Sequence, residues 1–159
     1  MLIFLPLLTF LLLSPVTQTG ASQVSPNHPT RMSSFNLSDQ KWKNRVLLVF
    51  APWENNNAYQ QQMQLFSRHK AGFADRDLVL VQVLAVGNNY ANSQQIDESS
   101  TASLRDRFGI SKEDFCVILV GKDGGVKRRD NVPVEATAIF NEIDAMPMRQ
   151  QEMQQRGRK

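Results

Sequence analysis

Two places in the chain carry residues whose types could do chemistry. One is a turn after an apolar strand, where Trp53, Glu54 and Asn57 lie close together. The other is Cys116, the only cysteine, which lies inside a second apolar run. A carboxylate can transfer protons, and a thiolate can attack a disulfide or a peroxide. Because the turn contains no sulfur, it cannot itself exchange thiols, so the two kinds of chemistry are separated along the sequence.

The turn is better suited to capping a helix and binding a partner than to catalysis. The positive end of a following helix favours the charged form of Glu54, which makes that side chain a poor general acid. Residues 55–57 are all asparagine, a good N-cap residue. Trp53 is either a lid on the core, which is the favoured reading, or an exposed anchor for a partner. We name no catalytic residue here and take Trp53, Glu54 and Asn57 as a candidate binding loop.

Cys116 is expected to be a buried apolar side chain. It lies among Phe, Val, Ile and Leu, and no neighbouring His or Lys cluster would favour its thiolate. A single cysteine also cannot form a disulfide within the chain. A reactive thiol or an intermolecular disulfide at Cys116 stays open as the alternative.

No cofactor or metal site is expected from the spacing of other residues. His69 has no second His, Cys or carboxylate at ligand spacing on its helix, and a contact with helix-end carbonyls is the expectation for it. His28 lies in a linker. The chain also lacks a phosphate-binding loop, a catalytic serine motif and a zinc signature.

The amino-terminal segment predicts export. Residues 1–13 are almost wholly apolar, and small residues up to Ala21 outline a signal peptide over 1–21, although no Lys or Arg precedes Arg31. The apolar run is too short for a stable membrane span. Residues 22–38 are polar, contain Pro26 and Pro29, and predict a mobile linker, within which Asn36 begins a glycosylation sequon. We expect a secreted or periplasmic protein.

The net charge of +3 does not indicate a nucleic-acid partner. Residues 149–159 hold four basic side chains and one acidic one, so the remainder of the chain has fourteen of each sign. So few concentrated charges release few counterions, and we expect no nucleic-acid binding. The segment 149–159 is predicted to be a solvated basic tail.

Hydrophobic spacing over the remainder predicts one α/β domain over residues 39–148. Continuous apolar runs indicate buried strands, and apolar residues at helical spacing indicate helices packed on them. Lys122 to Gly125 is a tight-turn signal, and Ser38 or Asp39 could cap a short helical turn. The predicted order is strand 46–51, helix 57–69, strand 77–86, loop 87–100, helix 103–108, strand 115–120, strand 126–129, and a last helix from Pro133 that is interrupted at Pro147.

This order, the Trp53 segment, the stretch 104–110 before a strand and the hairpin 120–126 resemble a thioredoxin or peroxiredoxin relative. The resemblance implies a thioredoxin-like three-layer sandwich with a mixed central sheet. It also implies that Glu54 and Asn57 stand where a thioredoxin has its two cysteines, and that Leu48 stands where it has a buried carboxylate. The loop that would carry a cis-proline falls within 111–115 and has no proline. No redox part of the pattern is therefore present.

Residues 41–52 and 139–149 resemble more closely a bacterial domain family of unknown function, with similar domains in vertebrate extracellular matrix and sushi-repeat proteins. The resemblance covers about residues 41–152. It implies an exported thioredoxin-like domain without the redox cysteine pair, acting as a non-catalytic module that binds a protein or matrix partner. The alternative is an atypical enzyme of peroxiredoxin descent, or a regulatory subunit, that uses Cys116.

Overall fold

A six-stranded mixed sheet forms the centre of the molecule. The computed structural model describes residues 32–157. The strands are β1 (Arg45–Trp53), β2 (Leu78–Val86), β3 (Asn89–Ala91), β4 (Gln94–Ile96), β5 (Cys116–Val120) and β6 (Val126–Asp130). They lie in the order β4-β3-β2-β1-β5-β6. β1 lies inside the sheet between β2 and β5, and its residues from Arg45 to Pro52 are buried, as expected for an apolar run covered on both faces.

Helices cover both faces of this sheet. Leu47, Val49 and Ala51 of β1 face a core cluster that includes residues of α1, α2 and α4. Val46, Leu48 and Phe50 face the opposite cluster, which includes Leu104 of α3 and Leu37 of a short 3-10 helix, Leu37–Gln40. The predicted three-layer α/β fold with a mixed sheet is thereby confirmed. The α-helices are α1 (Asn57–Phe66), α2 (Lys70–Asp75), α3 (Glu98–Phe108), α4 (Ala136–Asp144) and α5 (Pro147–Arg156).

The strand register brings three chain segments to one end of the sheet. β1 runs parallel to β2, with Trp53 opposite Val86. β5 runs antiparallel to β1, with Cys116 opposite Phe50. Consequently the end of β1, the end of β2 and the start of β5 all lie at the same end of the sheet. The predicted hairpin of β5 and β6 is confirmed.

The prediction of one long loop over 87–100 is wrong. Those residues form the β3–β4 hairpin and the start of α3. Two asparagine side chains hold the hairpin against β2: Asn89 Oδ1 accepts from Leu84 N at 2.6 Å, and Asn92 Oδ1 accepts from Leu80 N at 3.0 Å. These polar strands have no clear apolar alternation, which is why the pattern suggests a loop.

Three helix boundaries also differ from the prediction. The helix predicted over 57–69 ends at Phe66, and α2 follows as a separate helix. α3 begins at Glu98 because Asp97 Oδ1 caps it, accepting from Ser100 N at 2.7 Å. Its end at Gly109, which has a φ of 62° in the left-handed region, is as predicted. The short turn before β1 is capped by Asn36 rather than by Ser38 or Asp39.

Residues 32–38, the part of the predicted linker that the structure describes, are packed rather than mobile. Ser33 pairs with Ile96 at the edge of β4, and Leu37 is buried. The predicted signal peptide and the remainder of that linker lie outside the described residues.

Residues 149–156 of the predicted basic tail belong to the helix α5 rather than to a solvated segment. Pro147 begins α5 instead of interrupting a helix, in the position where proline is favoured. The buried side chain of Arg149 pairs with Asp75 and Asp144, and Glu152 pairs with Arg45. These residues belong to what we call the α5 ion cluster, which comprises Arg45, Asp75, Arg76, Asp77, Lys122, Asp144, Arg149, Glu152 and Arg156.

Candidate functional site

The turn with the candidate binding loop joins β1 to α1 at one end of the sheet. Trp53 is the last residue of β1, and Asn56 is the N-cap of α1. Asn56 Oδ1 accepts from Tyr59 N at 3.1 Å, and the amide of Gln60 donates to the Glu54 carbonyl at 2.7 Å. These bonds fix the turn at both ends. A rigid turn loses little conformational entropy when it binds a partner.

Trp53 is an exposed side chain rather than a lid on the core, so the favoured sequence reading is wrong. It is 52% exposed, and Val86, opposite it on β2, is 70% exposed. Both residues end their strands, where the helices no longer cover the sheet. Together they form an exposed apolar pair at the sheet end, which we call the Trp53–Val86 patch. Register across two strands, rather than sequence spacing, brings Val86 there.

Glu54 and Asn57 are both exposed beside this patch. Asn57 is the first residue of α1, one position after the capping asparagine. The three residues of the candidate loop therefore lie together as one apolar side chain with two polar neighbours.

The side chain of Arg105 hydrogen-bonds to the backbone near this end of the sheet, a role that the sequence pattern did not indicate. Its side chain is only 7% exposed. Nη2 donates to the carbonyls of Ala51 at 2.8 Å and Val83 at 3.0 Å, and Nη1 donates to Ser111 at 2.7 Å. One guanidinium thereby joins β1, β2 and the loop before β5. Burial lowers the pKa of Arg105, and the charges of Asp114 and Glu113 partly offset that effect.

Cys116 lies on the strand next to β1 but does not reach the turn. It is 1% exposed and belongs to the core cluster on the α3 side. Burial raises the pKa of its thiol, an effect that the nearby charge of Arg129 only partly opposes. A buried thiol with a raised pKa is a poor nucleophile at neutral pH because little thiolate is present.

We expect Cys116 to react slowly with a thiol reagent in the native protein. The rate with dithionitrobenzoate should be about a hundredfold lower than in denaturant, because the thiol must wait for local opening. A matched control carries Lys112→Cys in a Cys116→Ser background, which places a thiol on an exposed loop nearby. Native labelling of Cys116 as fast as that control would favour the redox alternative.

The other positions of the redox pattern are structural here. Leu48 is fully buried in the core. Residues 32–157, including the 111–115 loop, contain no cis peptide bond.

The ring of His69 packs edge-on against Phe140, with centroids 5.8 Å apart, and makes no capping bond to α2.

Residues 32–157 contain no group of three or more His, Cys, Asp or Glu side chains placed to hold a metal ion. No helix within this range has the length and apolar character needed to cross a bilayer.

The chain is similar to one domain family and to part of two longer proteins. The family model for a domain of unknown function, DUF4174, matches residues 36–152. Coiled-coil domain-containing protein 80 of Danio rerio is 27% identical over 150 residues, covering 84% of this chain and 17% of that protein. Sushi repeat-containing protein SRPX of Homo sapiens is 26% identical over 140 residues, covering 86% and 30%. The chain therefore spans less than a third of these relatives.

Solved structures with a similar fold include peroxiredoxins. The reduced 2-Cys peroxiredoxin of Plasmodium vivax gives a TM-score of 0.55 at 15% identity, covering 74% of this chain and 85% of that one. Thioredoxin peroxidase I of Plasmodium yoelii gives 0.54 at 18% identity, covering 72% and 79%. At such identities the similarity shows the fold alone. The predicted resemblance, in both fold and domain family, is confirmed.

Proposed function

Because the chain belongs to the DUF4174 family of domains of unknown function, has the fold of peroxiredoxins and carries no cysteine in the turn after β1, we propose that it is a non-catalytic protein-binding module. The Trp53–Val86 patch and the flanking Glu54 and Asn57 form its contact surface. The observation that carries this proposal is an indole half exposed at the end of a rigid central strand.

The physical character of this patch suits a protein partner. Tryptophan is enriched among residues that dominate binding energy, and it acts best when a partner removes it fully from water. Trp53 and Val86 supply an apolar centre, while Glu54 and Asn57 supply a polar edge, which is the usual anatomy of an interface. Because β1 and α1 hold the turn from both sides, binding requires little rearrangement.

A module role also agrees with the relatives. The region similar to this chain makes up 17% of coiled-coil domain-containing protein 80 and 30% of SRPX. In those proteins it is thus one part of a longer chain. We propose a protein or matrix partner on this basis, reached outside the cell after export.

The proposed organisation follows from the sequence. A signal peptide over 1–21 directs export to a secreted or periplasmic location, a linker starts at residue 22, and the thioredoxin-like domain acts as the binding unit. The charged side chains before residue 149 balance, so electrostatic attraction to a polyanion does not drive this binding.

Substituting Trp53 should abolish partner capture. We expect the mature chain starting at Ser22 to retain a defined protein from the secreted fraction of its host, and Trp53→Ala to lose it by tenfold or more. Removing a central aromatic anchor typically costs about 2 kcal/mol or more. The measurement is quantitative mass spectrometry of the retained proteins.

Trp42→Ala provides the matched control. Trp42 is 63% exposed but precedes the start of β1, at the other end of the sheet. Its substitution removes an exposed indole without touching the patch, so capture should persist. Equal capture by the wild type and the Trp53→Ala variant would rule out this surface.

A further inference from the structure

A groove lies on the face of the sheet packed by α1 and α2, separate from the Trp53–Val86 patch at the strand ends. Its volume is about 470 Å³, within the usual range for small-molecule sites. The end of α1, the length of α2 and the first half of β2 line it. Its apolar lining consists of Met63, Phe66, Phe73, Ala74, Leu78 and Leu80.

The β3–β4 turn forms the wall of the groove opposite α2. Asn92 has a φ of 53°, and its backbone N–H donates to the Leu80 carbonyl at 2.7 Å. Its side chain accepts from Leu80 N in return. Both bonds hold the turn on β2, so Asn92 and Ser93 stand beside the groove in a fixed position. The groove is therefore built by the fold rather than formed on binding.

Charge within the groove has one sign. Lys70 is the only charged side chain that lines it, and no carboxylate does. Neither Lys70 nor its neighbour Arg68 joins any of the ion pairs formed within residues 32–157. A cation beside an apolar surface, without an acidic partner, favours an anion that has an apolar body.

A hydrogen-bonding group lies in the floor. Gln82 of β2 lines the groove, and its Oε1 accepts from the Tyr59 hydroxyl at 2.6 Å. Burial, together with the charges of Glu54 and Tyr90, raises the pKa of Tyr59 to about 12, so the phenol stays a donor at neutral pH. That bond uses the oxygen of the amide and fixes its orientation. The amide nitrogen of Gln82 stays available as a donor to a ligand.

We propose that the groove binds one molecule of a straight-chain carboxylate. The alkyl chain lies along the apolar lining, where the adaptable side chain of Met63 fits an unbranched chain. The carboxylate pairs with Lys70 at the rim. This site is independent of the protein-binding patch, because none of the patch residues lines the groove.

Isothermal titration of the mature chain tests the site with three probes that share one alkyl chain: laurate, dodecanol and dodecyltrimethylammonium. Laurate and dodecyltrimethylammonium are used below the concentrations at which they form micelles, and dodecanol is used below its solubility limit. Laurate should bind with one-to-one stoichiometry and about fivefold more tightly than dodecanol, as expected for a partly exposed ion pair. The ammonium probe should bind more weakly than either. Equal affinity for the three probes would overturn the proposal, as would no saturable binding of laurate.

Two kinds of substitution test the contact with the ligand's headgroup and the contact with its alkyl chain separately. Lys70→Gln should lower laurate affinity about fivefold while leaving dodecanol unchanged, and the exposed Lys112→Gln should change neither. Ala74→Trp fills the groove from α2, and Ser93→Trp fills it from the opposite wall, so each should abolish binding of both probes. Circular dichroism confirms that each variant folds. Laurate binding that survives in both folded filling variants would place the site elsewhere.

An anionic group on an alkyl chain occurs both in free fatty acids, as a carboxylate, and in anionic membrane lipids, as a headgroup phosphate. A cavity for one chain predicts binding of monomeric laurate without vesicles. Sedimentation with anionic phosphatidylglycerol vesicles, combined with no binding of the monomer, would contradict the groove as the site.

Discussion

Replacing Arg105 by leucine should lower the free energy of unfolding by about 3 kcal/mol. The guanidinium donates to the carbonyls of Ala51, Val83 and Ser111, and leucine can satisfy none of them. Each hydrogen bond from a charged donor contributes more than a neutral one, and each buried carbonyl left without a partner adds a cost. Urea denaturation followed by far-UV circular dichroism measures the change.

The size of this effect depends on the shape of the side chain as well as its charge. Arg105→Lys keeps a cation, but an ammonium cannot reproduce the planar arrangement of donors that reaches three separate segments. It should therefore recover less than half of the lost stability. Arg107→Leu is the control because Arg107 lies on the same helix and is exposed; we expect a change within about 0.5 kcal/mol. Equal stability of the Arg105→Leu protein would show that Arg105 does not join the strands.

This arginine also explains why the sulfur-free turn keeps its position. Ala51 is two residues before Trp53, and Val83 is three residues before Val86. The Arg105 side chain thus holds the two strands whose ends form the Trp53–Val86 patch. The proposed partner binding depends on the stability of these strand ends, so a variant that loosens them should also bind less well. The proposed function needs a firm platform and no nucleophile.

The central elements could be predicted from the sequence because local patterns determine them. β1, β2 and β5 are apolar runs that only a doubly covered sheet can bury. α1 and α4 show apolar residues at helical spacing. The turn at Trp53 could also be found, because its residues are neighbours along the chain.

Features that depend on distant contacts could not be predicted. β3 and β4 are short and polar, and the side chains of Asn89 and Asn92 hold them in place rather than an apolar stripe. Val86 reaches Trp53 through strand register. Arg105 lies in a helix with nothing in its spacing to separate it from Arg107. Val86 and Arg105 have partners far along the sequence, whereas Asn89 and Asn92 act through polar side chains that an apolar pattern does not reveal.

α5 is the clearest example of such a long-range effect. Its sequence is rich in Gln and Arg and suggests a solvated segment. Yet Glu152 pairs with Arg45, which is 107 residues earlier and 1% exposed. The same carboxylate also accepts from Lys122 at 2.8 Å. Charge pairing at the amino end of β1 therefore positions a helix that has little apolar surface to bury.

The pH dependence of stability should report on this cluster. Burial disfavours the charged forms of Asp77, Asp144 and Glu152, but hydrogen bonds from cations outweigh burial and lower the pKa of each carboxyl. Because the unfolded chain binds protons more readily, their contribution is present above the ordinary pKa values of 3.8 and 4.5. It is lost as the pH falls through the lower folded values. Stability should thus fall below about pH 4.5.

Glu152→Gln should lower the free energy of unfolding at pH 7 by about 3 kcal/mol, because the substitution leaves Arg45 and Lys122 close together without the carboxylate between them. The variant should also lose part of its stability change between pH 5 and pH 3, since one of the responsible groups no longer titrates. Urea denaturation across that pH range measures both effects.

Glu142→Gln distinguishes the buried pair from a surface pair of the same chemistry. Glu142 pairs with Arg128 at 3.2 Å, with both side chains about 30% exposed. Water screens such a pair, so its loss should change the free energy of unfolding at pH 7 by no more than about 0.5 kcal/mol. If the two glutamine variants proved equally stable, burial would not be what makes the Glu152 pairs strong. α5 would then be held by its backbone and apolar contacts rather than by charge.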